Sequence, residues 1–218
     1  MGGNRVSEDF KNRLLVHAKT AVDRAGRAPN EEATKQFLIM PFFHLLGYDP
    51  NDPDEVVPEA DASFSDKFKN RVDYAIYREC DPVIAVEAKK VGTLSTANRG
   101  ELKGYYNAVP TVKLGILTDG LIYQLYSDTE AENLMDDAPF AVVDLEQIAQ
   151  ENIADEAFDA LLKIRRGIFD PADIGADARR KIYVSEYVAA LDGTFRDPDE
   201  TVVRIPDGRG GCRRAQNE

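Results

Sequence analysis

The chain has 218 residues, a net charge of −12 and a 43% hydrophobic share. This is enough for one medium domain with a proper core, alone or with an extension. No apolar run reaches the roughly 18 residues of a membrane span. Two cysteines are too few for a disulfide framework or a zinc site, and the opening residues lack the apolar stretch of a secretory signal, so a cytoplasmic protein with no membrane partner is expected. The acidity argues against a protein that coats duplexes by neutralising phosphates. It leaves room for a site whose carboxylates hold cations, and for a local basic face on an acidic remainder.

In chain order, the spacing of Phe10, Leu14, Ala18, Ala21 and Val22 predicts a helix from Ser7, as N-cap, to about Ala25, with His17 at the edge of the core. Asn30 can cap a second helix, Glu31 to about Leu46, ended by Gly47. Leu38, Phe42, Leu45 and Leu46 form its buried face, with Glu31 and Thr34 on the same face, and Pro41 should bend it because proline cannot donate to the carbonyl of Phe37. Glu31 has an ordinary explanation: acids are favoured in a first helical turn.

Residues 48–69 are polar and turn-rich, with Val56-Val57 as a short strand. Val72, Tyr74 and Ile76 alternate with Asp73, Ala75 and Tyr77, the two-residue period of a strand. A turn is expected at Cys80-Asp81-Pro82, and Val83 to Ala88 reads as a strand buried on both faces. A helical turn or two at 101–108 precedes a hairpin over 112–126 with Asp119-Gly120 at its bend. A short strand at 140–143, helix over 145–166 and an amphipathic helix over 182–191 complete the ordered part. Arg204, Arg209, Arg213 and Arg214 give the terminus a basic tail, read either as solvated chain or as a nucleic-acid contact. The sum is an α/β architecture: a mixed sheet flanked by helices, with residues 1–168 as a first domain and 169–218 as a C-terminal helical extension and polar tail.

The buried strand carries Glu87 and Lys89, two residues apart and so on one face. A charged pair there is costly to desolvate unless something compensates it. Mg²⁺ favours a few hard oxygens, and the carboxylates of Asp73 and Glu87 with the backbone carbonyl of Ala88 would suit it. Such an ion lowers the pKa of a bound water and steadies charge on a phosphodiester, while Lys89 can orient or deprotonate the water or neutralise the phosphorus. The plain alternative is an edge strand whose Glu87 and Lys89 face water.

Asp73 followed by Glu87-Ala88-Lys89 resembles the PD-(D/E)xK nuclease motif. Asn30-Glu31 with Thr34 and Pro41, Leu46-Gly47-Tyr48, Val57-Pro58-Glu59, Val72 to Ile76, Leu102 with Tyr105, and Leu117 to Gly120 together resemble the N-terminal nuclease domain of type I restriction enzyme R subunits, over roughly residues 28 to 146. The resemblance implies a restriction-endonuclease-like core and Mg²⁺-dependent DNA cleavage, with Mn²⁺ as substitute, in a restriction system. Asp73 and Glu87 would be metal ligands and Lys89 the catalytic lysine. Glu31 matches the family's helix glutamate near the metal. Val72 stands where Pro is usual, and Glu101 where relatives commonly carry Gln; a carboxylate there can act as an accessory ligand or repel DNA. No G-x-x-x-x-G-K-[ST] phosphate loop occurs, so no ATP-driven motor is expected. DNA and other restriction-modification subunits are the partners implied. The other reading is a non-catalytic module of the same fold, for DNA docking or assembly.

Overall fold

The continuous apolar run 83–88 lies inside a six-stranded sheet in the computed structural model, which describes residues 2–62 and 70–196. Strand order follows chain order: β1 (Val56–Asp61), β2 (Arg71–Arg78), β3 (Asp81–Ala88), β4 (Leu114–Thr118), β5 (Ile122–Tyr126) and β6 (Ala141–Asp144). All neighbours are antiparallel except β3 and β4. A parallel pair needs a crossover, and α4 (Arg99–Ala108) supplies it.

Helices cover both faces, which is why every residue from Val83 to Ala88 is buried. On one face, Ile76, Ile84, Val86, Tyr123 and Leu125 pack with α1 (Gly2–Ala25), the 31–46 segment, α5 (Leu145–Ala149) and α6 (Asp155–Lys163). On the other, Leu102, Tyr105 and Tyr106 of α4 pack on Val72, Ala75, Ala85 and Leu117. Each large apolar side chain so buried contributes about 1.5–3 kcal/mol. This mixed sheet between helical layers is the expected restriction-endonuclease-like architecture.

Several boundaries differ from the sequence reading. The first helix begins at Gly2, so Ser7 lies inside it rather than capping it; once a turn is nucleated, adding a residue costs little. The His17 ring lies against Phe42. The turn between β2 and β3 is Glu79-Cys80, and Asp81 and Pro82 join β3, with a register shift between Ile76 and Tyr77 that lets Pro82 face Tyr77. Helix over 145–166 is broken into α5, capped by Asp144, and α6.

The second helix runs unbroken over 31–46, as expected, but it is not α-helical throughout. Asn30 caps α2 (Glu31–Thr34) by accepting from the N–H of Ala33 at 2.9 Å, and Gly47 ends α3 (Met40–Leu46) at φ 95°. Between them the backbone widens into a π turn, Lys35–Ile39, in which Met40 donates to Lys35. Pro41 follows directly, so no N–H reaches back from it to the preceding turn, and the wider turn lies where that hydrogen bond is missing. The widened turn takes up the disruption that a bend was expected to absorb.

The last helix, α7 (Pro171–Arg196), is much longer than the 182–191 segment expected. The chain divides into two units, residues 1–181 and 182–218. Ile174 and Ala178 belong to the core of the first, whereas Tyr183, Val184, Tyr187 and Val188 in the second are exposed. The basic tail, Arg204 to Arg214, lies outside the described residues. Among the described residues no helix is long and apolar enough to cross a membrane.

Candidate active site

The sheet opens where β2 enters and β3 leaves. Paired positions run out to Tyr74–Val86, and one step further the register sets Asp73 opposite Glu87. The strands do not close there. Ala88 gives its N–H to the Asp73 carboxylate at 2.7 Å instead of to a facing carbonyl. Ala88 thus enters the cluster through its N–H, which points to the same strand edge as its carbonyl. β3 continues against β4 on its other side, Lys89 donating its N–H to Thr118. One strand partner is lost, and the other holds the acids and lysine in place.

Glu87 is 3% exposed and its Oε1 lies 2.5 Å from Lys89 Nζ. Lys89 also reaches Glu101 Oε2 at 3.4 Å, from the first turn of α4. The edge-strand alternative therefore fails: Glu87 is inside and Lys89 is mostly covered. Burial pushes the Glu87 carboxyl from 4.5 to about 8. The Lys89 contact opposes the shift, while the charge of Asp73 and a hydrogen bond with Glu101 add to it. Burial favours a neutral Lys89, but Glu87 outweighs it and holds the amine charged. Glu101 is pulled below the usual carboxylate range by its bond with Glu87 and the charge of Lys89, against a small opposing effect of burial.

A second lysine, which sequence reasoning missed, completes the cluster. Lys35 is 6% exposed, and its Nζ lies 2.5 Å from Asp73 Oδ1, 3.3 Å from Glu31 and 3.1 Å from Glu32. Burial disfavours its charge, yet Asp73 and the two glutamates raise it above the ordinary lysine value. Its one sequence signal was a lysine four residues after Glu31, a spacing shared by many exposed helical pairs.

The helix that delivers Lys35 is seated by the β4–β5 turn. Thr34 is fully buried and accepts from the N–H of Val91 at 3.3 Å. Gly120, at φ 83°, approaches so closely that a Cβ there would lie 2.7 Å from the Leu38 Cβ. Asp119 accepts from Gly92 at 3.0 Å, tying that turn to the chain leaving β3.

Asp73, Glu87, Lys89 and Glu31 are thus gathered at one strand end, with Glu101 on its rim. Among the described residues, no three His, Cys, Asp or Glu side chains stand as a ready cation cage; each acid meets a lysine instead. The donor set has the chemistry, though not the arrangement, of a hard-cation site. Its carboxylate oxygens are the right type, and Glu87 is a buried acid whose charged form the surroundings under-compensate. A family model described as the type I restriction enzyme R protein N terminus matches residues 30–139, just over half of the chain. No curated protein and no solved structure matches it.

Proposed function

Because the chain belongs to the family of type I restriction enzyme R protein N termini, we propose that it is a Mg²⁺-dependent DNA endonuclease acting through Asp73, Glu87, Lys89 and Glu31. The observation that carries this reading is the convergence of these side chains where β2 and β3 part.

Asp73, Glu87 and Glu31 would hold Mg²⁺, or Mn²⁺ in its place, with the Ala88 carbonyl available on the same strand edge. When bound, the ion supplies a polarised water and charge stabilisation at the phosphodiester. The chain supplies the rest. The backbone N–H of Ala88 donates to the Asp73 carboxylate and orients it. Lys89, held charged by Glu87, offers N–H donors to the attacking water and positive charge to the phosphate oxygens. Water adds to phosphorus and releases a proton to solvent, the P–O bond to the leaving oxygen breaks, and that oxygen takes up a proton from solvent. Glu101 at the rim narrows the approach for a phosphate. Partner subunits of a restriction system, suggested by the family description, would supply further contacts to DNA.

A plasmid-nicking assay in Mg²⁺ or Mn²⁺ tests the reading. Asp73→Ala and Lys89→Ala should each lower the rate at least about 100-fold; activity equal to that of the parent would place the chemistry elsewhere. The second reading, a non-catalytic module for DNA docking or assembly, is favoured by one fact: Asp73 and Glu87 each meet a lysine of this chain. Calorimetric titration with Mn²⁺ separates the two, since a docking module needs no ion there.

A further inference from the structure

We propose that Lys35 is the site's resident counter-cation, a positioning residue that holds the Asp73 carboxylate in the metal-free protein and must leave it when a divalent ion enters. This rests on the nuclease reading above and adds a residue that neither the motif nor the family description assigns.

The lysine occupies the place of an ion. Its Nζ touches Asp73 and Glu31, two of the three acids expected to ligate metal, and it comes from the helical layer rather than the sheet. Asp73 Oδ2 is already committed to the Ala88 N–H, so Oδ1, the oxygen open to a cation, is the one Lys35 holds at 2.5 Å. A buried ammonium and a divalent ion cannot share that oxygen without strong repulsion. Metal binding therefore has to displace the amine, and the measured metal affinity contains the cost of breaking this pair.

The backbone allows the exchange. Lys35 opens the π turn, and Glu32, which it also contacts, is 81% exposed on its side chain. An amine leaving Asp73 can stay near Glu32 while swinging outward, towards the side from which a phosphate would come. In a regular helix, without the extra residue before Pro41, the same lysine would leave the helix at a different angle.

The test is Mn²⁺ titration by calorimetry at pH 8 on the full chain, in the parent, Lys35→Met, Lys35→Arg and Asp73→Asn. Lys35→Met should bind Mn²⁺ at least about tenfold more tightly, a lower bound for a pair this well covered. Lys35→Arg should match the parent, and Asp73→Asn should lose binding. A lysine with only a structural role would make Lys35→Met bind equally or more weakly, and that result overturns the proposal. If Lys35→Met fails to fold, Mg²⁺ titration of the parent carrying ¹³C-labelled lysine decides: the Lys35 Cε signal should move with the calorimetric midpoint, and a stationary signal overturns the proposal. Should the parent bind no ion while Lys35→Met binds one, displacement is supported in its strongest form. Binding in neither overturns this inference together with the metal-dependent reading. Binding in both at equal strength sinks the inference and leaves the reading standing.

Discussion

Two buried glutamates flank the same pair of strands and have opposite characters. Glu55, near the turn end of β2, is 7% exposed, with Arg166 Nε 2.5 Å from one oxygen and the N–H of Asp49 3.0 Å from the other. Its own carbonyl accepts from Tyr77, tying it to β2. Glu87, at the open end, has one lysine, a neighbouring aspartate and a second glutamate within reach. Burial is nearly equal, so burial is not what separates them. The first carboxylate has both oxygens answered by the fold, while the second has a charge the fold leaves partly unanswered. Such under-compensation has a cost, and groups shifted in this way cluster at functional sites.

The sharpest break between the two is in activity. Glu87→Gln should reduce DNA nicking at least about 100-fold, whereas Glu55→Gln should leave the rate per folded molecule unchanged. Stability should respond in the reverse sense. Below pH 4.5 Glu87 is protonated whether the chain is folded or not. Between 4.5 and about 8 the unfolded chain releases that proton and the folded one keeps it, so metal-free stability falls as pH rises through this window, by on the order of a few kcal/mol. Denaturant titrations at pH 5 and pH 8 should show this slope in the parent, its loss in Glu87→Gln, and its flattening by Mg²⁺. Glu55→Ala should destabilise at both pH values by about 2 kcal/mol, less than a fully buried pair would lose because Arg166 remains half in water. The smallest effect is expected of Glu101→Gln. Removing its share in raising Glu87 should move the Glu87 midpoint downward by a fraction of a unit, read by ¹³C carboxyl titration.

Asp73, Glu87 and Lys89 were legible because strand periodicity fixes which residues share a face, and because charges inside the apolar run 83–88 and its end are conspicuous. Glu31 was visible only through resemblance, since an acid in a first helical turn has an ordinary use. Lys35 was hidden for a physical reason. Its direction depends on a π turn, and that turn depends on Pro41 six residues later meeting a helix already anchored through Thr34 and Leu38. Contacts distant in sequence decide this, and no local pattern records them. The same holds for the Glu55–Arg166 pair, whose members are 111 positions apart by their numbers. The sheet was easier to read because alternation and the Asp119-Gly120 turn are local, whereas the length of α7 was underestimated because its polar first turns carry only Ile174 and Ala178 as buried markers.

The notch at Gly120 bears on the order of events as the chain leaves the ribosome. Glu31, Lys35, Asp73, Glu87 and Lys89 all emerge before the β4–β5 bend, yet the segment carrying Glu31 and Lys35 has no seat until that bend has formed and received Leu38. Until then Asp73 lacks its counter-charge and the strand end lacks its wall. A nascent polypeptide therefore carries the reactive groups well before it can bring them together, and synthesis itself delays the moment at which the centre is assembled.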